Sequence, residues 1–69
     1  MDRHVVSSSN IRSVGYDKEK RVLEIEFKGG GRYRYSGVSG EVLEEMLNDK
    51  SVGSYFYRNI KDSYPCEKV

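Results

Sequence analysis

Alternation of apolar and charged residues marks a half-buried strand near the middle of the chain. Leu23, Ile25 and Phe27 fall on one face of this segment, and charged residues occupy the positions between them. Three glycines at 29–31 follow, and alternation resumes over residues 32–35. The pattern therefore predicts a β-hairpin whose connection is the glycine loop.

The register of this hairpin follows from treating the three glycines as a three-residue loop. That loop pairs Phe27 with Tyr33 on the apolar face and Glu26 with Arg34 on the polar face. Aromatic and opposite-charge pairs across strands each contribute about 0.2–1 kcal/mol. The agreement of both faces favours this register over that of a two-residue loop.

A third strand is predicted just before the hairpin. Antiparallel pairing places Tyr16 opposite Leu23 and Val14 opposite Ile25, all on the apolar face. Ile11 lies three residues before Val14, an odd number, so regular alternation would place it on the opposite face. Either a β-bulge or an anchor outside the strand explains it.

The apolar period changes to that of helices after the hairpin. Ser39 and Ser51 are typical N-terminal caps, and Pro65 ends the helical pattern. The first helix carries Val42, Leu43, Met46 and Leu47 at helical spacing, and the second carries Val52, Phe56, Ile60 and Tyr64. The chain is thus predicted to be α+β: a three-stranded antiparallel β-meander with two short α-helices packed on one face.

The 69 residues are enough for one domain only. We expect a polar N-terminal tail over 1–10, a single domain over 11–65 and a C-terminal tail over 66–69. The predicted core consists of Val14, Leu23, Ile25, Phe27, Tyr33, Tyr35, Leu43, Leu47, Phe56 and Ile60.

The residues that most often carry catalysis or bind metals are scarce. His4 is the only histidine and Cys66 the only cysteine, so neither a zinc cluster nor an oriented Cys–His pair is expected. The sequence predicts no enzyme activity, no cofactor and no metal.

A single cysteine is typical of a reducing compartment, and no apolar run resembles a signal peptide or membrane helix. A cytoplasmic location is expected.

The distribution of charge points to one candidate surface. Outside residues 41–49 the chain has twelve basic residues against seven acidic ones. An exposed tyrosine beside cationic side chains can stack a base and hold a phosphate. The candidate RNA-binding residues are Arg12, Arg32, Arg34, Tyr57, Arg58 and Lys61. Three to four phosphate contacts would give a log–log salt slope of about −2 to −3. A merely solvated face, interrupted by Glu24 and Glu26, is the alternative.

Several short segments together resemble one known family. In chain order they are Ser9–Ile11, Val14–Asp17, Leu23–Phe27, the glycine loop, Tyr33-x-Tyr35, Val38, Ser51-x-Gly53-x-Tyr55-Phe56, Ile60 and Tyr64-Pro65. Their order and spacing resemble the KTSC domain family over residues 8–65. Tyr57 departs from the family pattern, which has a small polar residue such as Asn there.

The resemblance implies function only in outline. The family is named after a C-terminal extension of some lysyl-tRNA synthetases, and it also occurs as small stand-alone bacterial and phage proteins. It has no established activity, and the synthetase context suggests RNA binding by association. Tyr33 and Tyr35 could serve packing or binding. The missing side chain of Gly53 is expected to let the second helix approach the sheet or the first helix.

The function expected from all of this is a non-catalytic binding module, with RNA (tRNA or another RNA) as its ligand. The alternative is a protein-interaction adaptor that docks through the acidic first helix or a sheet edge. An enzyme is the third and least favoured class. The sequence leaves the oligomeric state open.

Overall fold

Five antiparallel strands form one sheet in chain order, and two helices lie between the fourth and fifth strands. The computed structural model describes residues 1–69. Its elements are β1 (Asp2–Val5), β2 (Ile11–Asp17), β3 (Val22–Phe27), β4 (Arg32–Ser36), α1 (Gly40–Asn48), α2 (Val52–Asn59) and β5 (Cys66–Lys68). The predicted α+β class is confirmed.

The sheet has five strands, so the prediction of three strands is wrong. The additional strands, β1 and β5, lie in the segments 1–10 and 66–69 that the sequence predicts as tails. Both are short, and every residue in them is exposed. Neither strand therefore has the apolar alternation by which a half-buried strand is recognised. They occupy the two edges of the sheet.

The hairpin of β3 and β4 has the predicted faces but a different register. Glu24 lies opposite Arg34, and Ile25 lies opposite Tyr33, two positions from the expected pairing. The Phe27 amide donates to the Gly31 carbonyl at 2.9 Å, so the three-residue loop is 28–30 rather than 29–31. A displacement of two residues keeps every side chain on its face.

The position of the loop reflects where positive φ is required. In a three-residue hairpin loop the third residue commonly adopts a left-handed conformation, and Gly30 has φ of +103°. Gly31 is an equally good candidate by residue type, because both are glycines. The sequence therefore could not distinguish the two registers.

The pairing of β2 with β3 confirms the prediction. Tyr16 lies opposite Leu23 and Val14 opposite Ile25. The register shifts between Ile11 and Ser13, so the β-bulge accounts for the parity of Ile11. The bulge turns Ile11 inward, where it is fully buried.

Both helices begin at the predicted serine caps. The Ser39 hydroxyl accepts from the Val42 amide at 3.3 Å, and the Ser51 hydroxyl accepts from the Ser54 amide at 3.2 Å. α2 ends at Asn59, well before Pro65. The turns after it bring the chain back to β4, which pairs with β5. Neither helix has the length and hydropathy needed to cross a membrane.

The core fills the space between the helices and one face of the sheet. Its members are Ile11, Val14, Tyr16, Leu23, Ile25, Tyr35, Val38, Leu43, Met46, Val52, Phe56 and Ile60. Phe27, Tyr33 and Leu47, which the sequence places in the core, are only partly buried and pack against its margin. The Tyr16 hydroxyl is satisfied inside the core because it donates to the Val38 carbonyl at 2.7 Å.

Gly53 permits a close approach, but not to the sheet or to α1 as expected. A β-carbon at Gly53 would lie 3.1 Å from the Ser8 hydroxyl oxygen. That oxygen accepts from the backbone amides of Asn10 and Ile11, each at 3.3 Å, and so shapes the connection between β1 and β2. Glycine therefore allows the start of α2 to pack against this connection.

We expect Gly53→Ala to lower the free energy of unfolding by about 1 kcal/mol, because it displaces the Ser8 hydroxyl from two amides. In a Ser8→Gly background the same change should instead stabilise the protein, by up to about 1 kcal/mol of helix propensity. Urea denaturation of the four proteins of this cycle measures both values. Equal effects of Gly53→Ala in the two backgrounds would contradict the assignment.

Candidate nucleic-acid interface

A pocket of about 360 Å³ opens on the helix-covered side of the sheet, between β4, β5 and α2. Six of the eight residues around it are hydrophobic, namely Phe27, Tyr33, Tyr35, Phe56, Tyr57 and Cys66. Lys61 and Asp62, both exposed, complete its lining. An apolar pocket with a few polar groups is the usual form of a small-ligand site.

The strand and helix periods explain why the aromatic rings meet here. Tyr33 and Tyr35 are two residues apart on β4 and therefore point to the same face of the sheet. Phe56 lies edge-on to three rings, with centroid distances of 5.7 Å to Phe27, 5.3 Å to Tyr35 and 5.4 Å to Tyr57. Edge-to-face pairs at these separations are favourable and fix the orientation of each ring.

Tyr35 contributes a hydroxyl to the pocket from a nearly buried position. The residue is 4% exposed, and Cys66 is its cross-strand partner on β5. Burial, followed by the neighbouring Cys66 thiol, raises the pKa of Tyr35 above its ordinary value. The hydroxyl therefore stays protonated near neutral pH and remains a hydrogen-bond donor.

Tyr57 and Lys61 form the solvent-facing part of the site. Tyr57 is 46% exposed, and the Lys61 ammonium lies 5.2 Å from the centroid of its ring. This cation–π contact holds a positive charge beside an accessible aromatic face. The structure thus brings two of the predicted RNA-binding residues together at the pocket.

The opposite face of the sheet is a network of ion pairs and hydrogen bonds. Arg34 pairs with Glu24 at 3.0 Å, not with Glu26 as expected, and Arg32 pairs with Glu26 at 3.6 Å. Arg3 of β1 also pairs with Glu24. Ser13 connects the ion pairs of Glu24 with the ion pair of Glu26. Its hydroxyl accepts from Arg3 and donates to Glu26, each at 2.9 Å.

Glu24 is the centre of this network. It is 3% exposed, and no feature of the sequence distinguishes it from the exposed acidic residues. Burial raises the pKa of Glu24, but the hydrogen bonds and positive charges of Arg34 and Arg3 outweigh burial and hold its pKa below the ordinary 4.5. The carboxylate is therefore ionised at neutral pH, and Arg34 is engaged by it.

The candidate RNA-binding residues do not form one continuous basic surface. Arg32 and Arg34 lie on the network face, whereas Tyr57 and Lys61 lie at the pocket on the other side of the sheet. Arg58 pairs with Asp49 at 3.7 Å, and its side chain is still 64% exposed. Arg12 stands exposed at the β-bulge and takes part in no ion pair.

Three residues that border the pocket were missed because β5 and the turn before it were not predicted. Cys66 and Asp62 line the pocket directly. Lys68 lies opposite Tyr33 in the β4–β5 pairing and so projects from the same face. Of the family motif residues, Tyr33, Tyr35 and Phe56 line the pocket, while Tyr55 packs against the core.

Comparisons with known proteins agree with the resemblance. A family model described as KTSC domain matches residues 7–64. The crystal structure of a KTSC domain protein from Yersinia pestis has a TM-score of 0.94 and 40% identity, covering 99% of this chain and 96% of that chain. An uncharacterized protein from Stutzerimonas stutzeri is 41% identical over 64 residues, which are 93% of this chain and 90% of the relative. A lysine–tRNA ligase from Nostoc sp. is 34% identical over 61 residues, which are 88% of this chain and 11% of the ligase.

Proposed function

This chain belongs to the KTSC domain family, and on that premise we propose that it is a non-catalytic module that binds single-stranded RNA. Similar segments make up a small part of lysine–tRNA ligases, whose substrate is an RNA. That context supports RNA as the ligand class but does not identify a binding surface. The surface is argued from the geometry of this chain.

The observation that carries the proposal is the aromatic pocket with Tyr57 exposed beside it. Proteins that bind single-stranded RNA stack splayed-out bases on aromatic side chains, because every base has a flat π-face. Tyr57, which is 46% exposed beside the pocket, offers such a ring.

Phosphate contacts on this side of the sheet come from few residues. Lys68 projects from the same face of the sheet as Tyr33, and Arg58 is exposed on α2, where it pairs with Asp49. Arg32 and Arg34 pair with carboxylates on the other face. One or two contacts give a log–log salt slope of about −0.7 to −1.4. This slope is shallower than the three to four contacts expected from the sequence would give. Such weak binding suits a module that assists a larger RNA-binding partner.

We expect Tyr57→Ala to weaken binding of a labelled single-stranded RNA by about 5- to 150-fold, the loss of one stacked base. Fluorescence anisotropy at ~50 mM salt measures the affinity, since low salt favours the phosphate contacts. The variant should remain folded because nearly half of the ring is exposed.

Arg32→Ala is the matched control. It removes a positive charge from the opposite face, where Arg32 pairs with Glu26, and should leave affinity and salt slope unchanged. An equal loss of affinity in Arg32→Ala and Tyr57→Ala would contradict binding at the pocket. Absence of binding by the wild type up to ~100 μM RNA, a free energy weaker than about −5.5 kcal/mol, would remove the RNA proposal.

One observation supports the second candidate function, a protein-interaction adaptor. β5 is an exposed edge strand of three residues, and its outer backbone groups pair with no other strand. An extended peptide could add to such an edge. This function is the one to test if the RNA titration fails.

A further inference from the structure

Building on the proposed function, we propose that the pocket selects a guanine base, with Asp62 and Lys61 recognising its polar edge. The aromatic rings of the pocket supply stacking, which is tolerant of base identity. Selectivity must therefore come from the polar groups at the pocket, and these are few.

Lys61 and Asp62 are the only charged residues that line the pocket, and neither takes part in an ion pair. They are consecutive in the turn after α2. By contrast, Glu24, Glu26 and Asp49 all pair with arginines. An unpaired carboxylate beside the Lys61 ammonium, which lies over the Tyr57 ring, complements a ligand edge that carries donors next to an acceptor.

Among the four RNA bases, guanine alone presents two adjacent N–H donors, N1–H and N2–H, beside a carbonyl acceptor, O6. A carboxylate can accept two parallel N–H bonds at once, and such paired, charge-assisted bonds are strong. Asp62 suits the two donors and Lys61 suits O6. Adenine and cytosine offer a single amino group, and uracil a single N–H, so each leaves part of the carboxylate unmatched.

The size of the pocket agrees with one base. A volume of about 360 Å³ is near the lower end for small-ligand pockets. A base with its flat faces against the rings leaves its ribose and phosphate outside. There the exposed side chain of Lys68, which projects from the same face as Tyr33, is available to the phosphate.

The test compares short oligouridine RNAs that carry guanine, adenine or cytosine at one central position. Anisotropy should give the guanine RNA an affinity about 5- to 150-fold higher than the adenine RNA, as for one bidentate contact to a base. Asp62→Asn should lower the affinity for the guanine RNA to that for the adenine RNA, and it should leave the affinity for the adenine RNA unchanged.

Glu67→Gln is the matched control. Glu67 is an exposed carboxylate on β5 opposite Arg34, so it projects from the network face, and the change removes the same charge as Asp62→Asn. Guanine preference should persist in this variant. Amide chemical shifts of Asp62 and Cys66 should move most when the guanine RNA is added.

The outcomes separate the two proposals. Equal affinity for the three RNAs, or a guanine preference that survives Asp62→Asn, overturns guanine selection while RNA binding stands. Failure of all three RNAs to bind overturns RNA binding and guanine selection together. Loss of guanine preference in Glu67→Gln as well would show a general charge effect and also overturn recognition by Asp62.

Discussion

Phe56→Ala is expected to lower the free energy of unfolding by about 3–5 kcal/mol, close to the whole stability of a domain this small. Phe56 is 1% exposed and lies edge-on to three aromatic rings. Its removal leaves a cavity between α2 and the sheet that the fixed rings around it cannot fill. Urea denaturation followed by far-UV circular dichroism measures the loss, and a variant with no cooperative transition also meets the expectation.

Two neighbouring rings provide the comparison for Phe56. Phe27 forms part of the pocket lining and is only partly buried, so Phe27→Ala should cost less than Phe56→Ala. Tyr57 is 46% exposed, and Tyr57→Ala should lose little more than one edge contact, about 0.5–1.5 kcal/mol. If Phe56→Ala cost no more than Tyr57→Ala, Phe56 would not be the centre of the core.

Glu24→Gln is expected to have the second-largest effect, a loss of about 1–3 kcal/mol at neutral pH. The change leaves Arg3 and Arg34 without their shared carboxylate. The loss is smaller than for a fully buried pair, because the side chains of Arg3 and Arg34 are 36% and 45% exposed and remain hydrated.

The contribution of Glu24 should depend on pH in a defined direction. Its pKa is lower in the folded protein than the ordinary 4.5, so the unfolded chain binds the proton first as pH falls. The stabilisation is therefore complete above about pH 5.5 and is lost as pH falls through the folded pKa.

Urea denaturation at about pH 7 and about pH 3 compares the wild type with Glu24→Gln. The gap in unfolding free energy between them should narrow at the lower pH. Glu44 is an exposed carboxylate of α1 in no ion pair. Glu44→Gln should therefore have the same unfolding free energy as the wild type at either pH. A gap for Glu24→Gln that is constant with pH would contradict the ion-pair account.

Sequence patterns predicted which side chains of the central strands share a face. They predicted less well which residues lie opposite each other in neighbouring strands. Parity placed Ile25 and Tyr35 correctly because burial on one face enforces a period of two. The register of β3 against β4 was wrong by two residues, since consecutive glycines left the loop position undetermined. The edge strands β1 and β5 were missed because no apolar pattern accompanies an exposed strand.

The candidate site was predictable only in part, for a related reason. Tyr57 and Lys61 could be named from residue type alone, and they do lie together. Arg32 and Arg34 have the same chemistry, but their ion pairs depend on the strand register and on Arg3 of β1. The pocket itself depends on where β5 returns, which no local pattern in the sequence specifies.

The return of β5 also affects the order of assembly. β1 to β4 are joined by short connections, whereas β5 reaches β4 only after both helices, with Cys66 pairing back to Tyr35. Contacts between residues distant in sequence form late, because closing a long loop costs more entropy. A short, exposed edge strand is also among the first elements to open. We therefore expect the pocket to be completed late in folding and to open early, so that a ligand that bridges α2 and β5 gains part of its effect by holding that strand closed.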